Sequence, residues 1–158
     1  MKFVSKFLLL FLKQMITCIL NGPLEDQLFQ IFAVISYAMR NNDKCFFILS
    51  NKVSSGHPTY WDSLFYKIAM INKLPYTLHF SRIFLKEQNK ENYQPLPNLS
   101  VHLERSRFIC EMVGCFRHFR FFEDQFDFIY RKIDFKGQFE KLFLSLYTHL
   151  TLPTSDLV

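Results

Sequence analysis

Two short apolar runs, MITCIL at Met15 to Leu20 and CFFILS at Cys45 to Ser50, enclose a single helix-length segment. That arrangement constrains the fold more than any other feature. A continuous apolar run of about 4–8 residues bounded by turn residues reads as a strand buried on both faces. Asn21-Gly22-Pro23 supplies the turn after the first run. Between the runs, from Leu24 to Arg40, Leu28, Phe29, Phe32, Val34, Ile35 and Ala38 are too many for one stripe. The spacing therefore predicts a helix covered on most of its surface. Its ends agree, with Glu25 and Asp26 in the first turn and Arg40, Asn41, Asn42 and Lys44 at the stop. Strand, turn, helix and strand in this order begin a parallel α/β unit with a right-handed crossover. The predicted fold class is α/β, a Rossmann-like, mostly parallel sheet with flanking helices.

The rest of the chain continues the alternation without a compositional break. A loop with Ser54, Ser55, Gly56 and Pro58 precedes a predicted helix from Tyr60 to about Met70, and Tyr76 to Leu85 has a strand's composition. Lys86 to Ser100 is polar, holds Pro95 and Pro97, and reads as an exposed loop. Val101 to Arg107 is an ambiguous strand, while Phe119 to Lys132 and Phe135 to Leu146 have helical spacing. A length of 158 residues suits one domain, and 49% apolar residues exclude disorder. Only 4 Gly and 6 Pro exclude low-complexity and collagen-like arrays. Phe is the compositional outlier, at 20 against 7 Tyr and 1 Trp.

Both ends carry segments that stand apart. The apolar stretch Phe7 to Leu12 is interrupted by Lys13 and Gln14, too early for a secretory core of about 7–15 residues or a span of about 20. No transmembrane span is expected, and the expected location is cytoplasmic. The final LYTHLTLPTSDLV resembles a translated adapter or vector tail, so residues 146–158 are set apart from residues 1–145.

Several chemistries find no support in the residues. Cys18, Cys45, Cys110 and Cys115 lack the spacing of a zinc knuckle or a redox pair and read as free, mostly buried thiols. His57, His79, His102, His118 and His149 show no ligand spacing. No metal site is expected, and neither a nucleophile elbow nor a phosphate-binding P-loop occurs. Arg117, His118 and Arg120 lie among phenylalanines, as in a stacking surface for nucleic acid, but Glu123, Asp124 and Asp127 cancel their charge. A half-buried aromatic helix is the expected structure there, with no nucleic-acid partner.

The turn that opens the first helix is where α/β folds hold phosphates, because free backbone N–H groups face the crevice above the sheet. Here it reads Asn21-Gly22-Pro23-Leu24-Glu25-Asp26-Gln27-Leu28-Phe29-Gln30. It resembles the G-G-L-G-N-Q-L-F-Q signature of the glycosyltransferase family 11 fucosyltransferases, matched at Gly22, Leu24, Gln27, Leu28, Phe29 and Gln30. Pro58 to Ser63 is similar to a segment that precedes a helix in viral members. Gly114 to Asp124 resembles the family's G-Y-F-Q-S-Y-K-Y-F-E signature, kept at Gly114, Phe116, Phe122 and Glu123. The matches fall in the family's order and cover about residues 15–145, the N-terminal half of a member.

This resemblance implies an incomplete glycosyltransferase fold from an α-1,2-fucosyltransferase. In such a protein a galactoside hydroxyl attacks GDP-fucose with inversion, so the implied partners are a nucleotide sugar and a galactoside acceptor, without a further cofactor. It points to Gly22, Gln27 and Gln30 as a donor-side loop and to Tyr60, Trp61 and Asp62 as further substrate contacts. The departures are equally specific. Pro23 and Glu25 stand where the family has glycines and Asp26 where it has Asn, which places carboxylates where a pyrophosphate would approach. The family's later H-x-R-R-G-D motif, whose Arg pairs with donor phosphates, does not occur. Val101-His102-Leu103-Glu104-Arg105 is only faintly similar and precedes the Gly114 segment. The expectation is a fragment inactive on its own. The alternatives are a degenerate, non-catalytic remnant serving as a small interaction domain, and a membrane-peripheral protein held by its Phe-rich N-terminus and positive charge.

Overall fold

The computed structural model describes residues 15–53, 55–71, 81–88, 92–99 and 108–151. Within them, strands β1 (Met15–Cys18), β2 (Lys44–Cys45), β3 (Ser81–Lys86) and β4 (Phe108–Val113) form one sheet in the order β2-β1-β4-β3. Every pairing is parallel. The helices are α1 (Leu24–Arg40), α2 (Tyr66–Ile71), α3 (Phe126–Lys132) and α4 (Phe135–Thr151). An α/β, Rossmann-like partial fold with an all-parallel sheet and flanking helices is the observed architecture.

Register explains where the core lies. Ile16 pairs with Cys110 and Cys18 with Met112, while Ile83 and Leu85 pair with the same two β4 residues. Alternate residues share a face, so these side chains form one apolar face, and α1 packs over β1 and β2. Ile31, Val34, Tyr37 and Ala38 of α1 are buried with that face. Thr17, Glu111, Arg82 and Phe84 fall on the opposite face by the same alternation. Helix α1 spans the predicted residues and is buried along most of its length. At its end the Asn41 side-chain amide donates to the Tyr37 carbonyl (2.8 Å), and Asn42 turns the chain with φ 55°, a conformation that Asn tolerates.

Other expectations require correction. The run Cys45 to Ser50 is paired only at Lys44–Cys45, with one more bond from Phe46 N–H to the Ile16 carbonyl (3.0 Å). Phe46 and Phe47 are buried, but Ile48 and Leu49 are exposed, because Ser50 folds back through its N–H to the Ile48 carbonyl. The helix expected from Tyr60 begins only at Tyr66. Residues 61–65 form turns that bury Trp61, Leu64 and Phe65 together. Strand β4 falls where none was expected and lies between β1 and β3.

The helix expected from Phe119 is instead a single 3-10 turn, Phe119–Phe121, followed by turns until α3. In a 3-10 turn residues i and i+3 lie over each other. That sets Phe119 edge-on against Phe122 at 5.4 Å and lets Phe122 reach Phe32 at 5.5 Å. Helix α4 runs through residues 145 and 146 to Thr151. The segments Phe7 to Leu12, Tyr76 to Phe80, Val101 to Arg107 and 152–158 lie outside the described residues.

Candidate functional site

The carboxyl ends of β1 and β4 lead into two loops, 19–23 and 114–118, and a cleft of about 540 Å³ opens between them. Gly22, Asp26, Gln30, Glu87, Glu111 and Gly114 are among its walls. This is the position at which open parallel sheets bind ligands.

Gly22 is required by its geometry. Its φ is +81°, and a Cβ there would lie 2.6 Å from Asp26 Oδ2. Its N–H donates to Asn21 Oδ1 (2.9 Å) and Ser55 Oγ (3.2 Å), while its carbonyl accepts from Gln27 Nε2 (3.0 Å). Gln27 is 0% exposed, and the same Nε2 donates to the Pro58 carbonyl (2.9 Å). Its amide therefore braces the loop from beneath and stands outside the cleft wall. Gln30 accepts from Asn21 N–H at 3.0 Å, and its Nε2 donates to the carbonyls of Asn21 (3.3 Å) and Gly114 (3.2 Å). One buried side chain thus joins two motif segments 84 positions apart.

Tyr60, Trp61 and Asp62 are not brought into the cleft. Trp61 is buried against Phe47 and Phe65, at ring separations of 5.7 and 5.5 Å. Tyr60 is half-buried, edge-on to Phe65, and Asp62 is exposed. The aromatic pair packs the turn before α2 through Phe65 and onto Phe47, just past β2. This segment meets the Gly22 loop through the Pro58 carbonyl.

The cleft's electrostatics come from residues that the sequence left in other roles. Asp26, whose side chain is 6% exposed, holds Arg117 through two bonds, Nε to Oδ1 (2.6 Å) and Nη2 to Oδ2 (2.9 Å). Such a fork is among the stronger ion-pair geometries, and the Asp26 carboxylate raises the Arg117 guanidinium above its ordinary range. Asp26 is thus a cross-chain partner, where the sequence predicted an acid stabilising a helix start. Arg117 is neutralised from α1, while Asp124 pairs with Arg40 and Arg120 lies 5.9 Å over the Tyr93 ring. His118 is exposed and accepts from Arg120 N–H through Nδ1 (3.3 Å).

Two further acids complete the cleft. Glu87, just after β3, accepts from the backbone N–H groups of Cys115 (2.9 Å) and Phe116 (3.1 Å) on one oxygen. Glu111 of β4 is buried and accepts from Arg82 Nη1 at 2.9 Å. A signal for Glu111 existed, since a single acid inside FICEMV must find a partner once the strand is buried. Glu87 offered none, being one of several charges in a polar stretch. Among the described residues no group of three or more His, Cys, Asp or Glu is placed to hold a metal ion. No described helix is long and apolar enough to cross a membrane.

No protein-family model, curated protein or solved structure matches this chain.

Proposed function

We propose that the chain carries the N-terminal half of a fucosyltransferase fold of the family 11 type, and that these 158 residues do not transfer fucose by themselves. The observation that carries this reading is the Gln30 amide. The two segments that resemble family signatures are brought to one crevice by a residue that belongs to the first signature. Such a crevice, at the carboxyl ends of a parallel sheet, suits a nucleotide sugar. Its chemistry as folded opposes that use. Arg117 is already held by Asp26, and Asp26, Glu87 and Glu111 together present carboxylates where a diphosphate would lie.

Calorimetric titration tests the reading. The wild-type chain is expected to bind GDP-fucose negligibly and to release no GDP in the presence of a galactoside. Asp26→Asn, which frees Arg117, is expected to bring measurable GDP-fucose binding. Micromolar binding by the wild type, or none by a folded Asp26→Asn chain, rejects the donor role of this crevice.

A second reading, a non-catalytic interaction domain, is favoured by a different observation. A groove of about 340 Å³ is lined by Phe29, Phe32, Phe119, Phe122, Phe126 and Phe135, with Glu25 at its edge. An apolar surface of this kind is a common mark of contact with a partner. It gains weight if Asp26→Asn leaves GDP-fucose unbound.

A further inference from the structure

We propose that the turn after β4 is a seat for a phosphoryl anion, held closed by the carboxylate of Glu87. The seat is made of backbone. The N–H groups of Cys115 and Phe116 converge on Glu87 Oε2 at 2.9 and 3.1 Å. They lie in a tight turn in which Phe116 itself has a φ of 53°. Successive N–H groups in such a turn form a concavity that binds anions. Phe116 is held there because its ring is 0% exposed and edge-on to Phe121 at 5.3 Å.

Gly114 brings the occupant close. A Cβ at Gly114 would lie 2.6 Å from both Cβ and Oε2 of Glu87, so the absence of a side chain lets the carboxylate enter the turn. The next donor along the chain, Arg117, meets a carboxylate as well, that of Asp26. Residues 115, 116 and 117 therefore each direct an N–H donor at an anion, and both anions come from other elements of the fold. Glu87 and Asp26 also line the same cleft, together with Gly114 and Cys115.

A phosphoryl group offers several acceptor oxygens and more charge than a carboxylate, and it suits paired N–H donors beside an arginine. Glu87 competes with it as a tethered group, at an effective concentration on the order of millimolar. Its tether is short, since Glu87 N–H donates to the Val113 carbonyl at 2.9 Å. The wild-type seat is accordingly closed to weak anions and opens when Glu87 is withdrawn. The seat itself is made of backbone donors, with Arg117 kept on Asp26, so it does not require the fucosyltransferase reading.

The test is nuclear magnetic resonance of the full chain titrated with inorganic pyrophosphate, with sodium chloride at matched ionic strength as the control. Wild type, Glu87→Ala and Glu87→Gln are compared, with circular dichroism to establish folding. The expected result is a shift of the Cys115 and Phe116 amides. It should be half-complete in Glu87→Ala at a pyrophosphate concentration at least tenfold below that for wild type. If Glu87→Ala loses its fold, Glu87→Gln is expected to give the same shifts at a concentration between those limits. Unmoved Cys115 and Phe116 amides in a folded variant overturn the seat. Unfolding of both variants also overturns it, by making Glu87 a structural tie. Pyrophosphate binding here with no GDP-fucose binding by Asp26→Asn keeps the seat and rejects the donor role of this crevice.

Discussion

Asp26 and Asp124 are both acids that the sequence assigns to simple roles, and both acquire arginine partners from distant parts of the chain. Local rules read Asp26 as a helix-start charge and Asp124 as a canceller of nearby Arg117 and Arg120. The fold exchanges the partners: Asp26 takes Arg117, and Asp124 takes Arg40 at the end of α1. Residue-scale electrostatics were illegible because each partner is about 80–90 positions away. The Arg40–Asp124 pair makes a pH prediction. Its hydrogen bond to Arg40 holds the Asp124 carboxyl below the ordinary value of 3.8. A carboxyl depressed in the folded state stabilises fully above its ordinary value and loses that contribution as pH falls through the folded value. Both side chains are partly exposed, 33% and 47%, so screening limits the effect to that of a surface pair. Arg40→Ala is expected to lower the melting temperature by about 1–3 °C near neutral pH. That difference should shrink as pH falls through the folded value of Asp124 and in high salt. An equal difference across that range would assign Arg40 a role in packing.

At the scale of elements, legibility followed the length and continuity of the apolar pattern. Helix α1 is seventeen residues long with acids at one end and Arg40 at the other, and its bounds were readable to the residue. Strand β1 was readable because MITC is unbroken. Strand β4, FICEMV, was not, because Glu111 interrupts the run and its pairing with Arg82 on the neighbouring strand makes its burial tolerable. The aromatic segment 119–132 misled for the opposite reason. Its spacing suits a helix, but the Phe119, Phe122 and Phe126 rings pack with Phe32 and Phe29 through a tighter turn. The site followed the same division. Gly22 and Gln30 were legible from a signature, whereas Glu87 and Glu111 depend on which strands become neighbours. Gln30 ties two elements and should be costly to lose. Gln30→Ala strips a partner from Asn21 N–H and from the carbonyls of Asn21 and Gly114, a change worth about 1–3 kcal/mol in urea denaturation. Hydrogen exchange at the Asn21 amide should accelerate with it. A variant within about 0.5 kcal/mol of wild type would show that the loops hold each other without Gln30.

The molecule as a whole is a parallel sheet whose central strands carry two of its four thiols. Cys18 in β1 and Cys110 in β4 are buried on the face beneath α1, whereas Cys45 and Cys115 are only partly buried. Burial pushes the Cys110 thiol up to about 12 and raises that of Cys18 as well, with the Glu111 charge adding to the effect. Since the thiolate is the nucleophile, both are doubly protected, by access and by protonation. Cys115 sits at the cleft beside Gly114 and needs only a local movement to be reached, while Cys45 stands on the short edge strand β2, with its thiol also raised by burial. Labelling with a thiol reagent near neutral pH is therefore expected to modify Cys115 first and Cys45 more slowly. Cys18 and Cys110 should react together at a common rate, because separating β1 from β4 dismantles the sheet. That slow rate should rise with urea along the slope of global unfolding, while the rate at Cys115 stays nearly flat. Labelling of Cys110 as fast as Cys115 would mean that β4 leaves the sheet without global unfolding. In that case the turn that follows β4, with its N–H groups on Glu87, would belong to a mobile edge, and the cleft would be a transient feature of the fold.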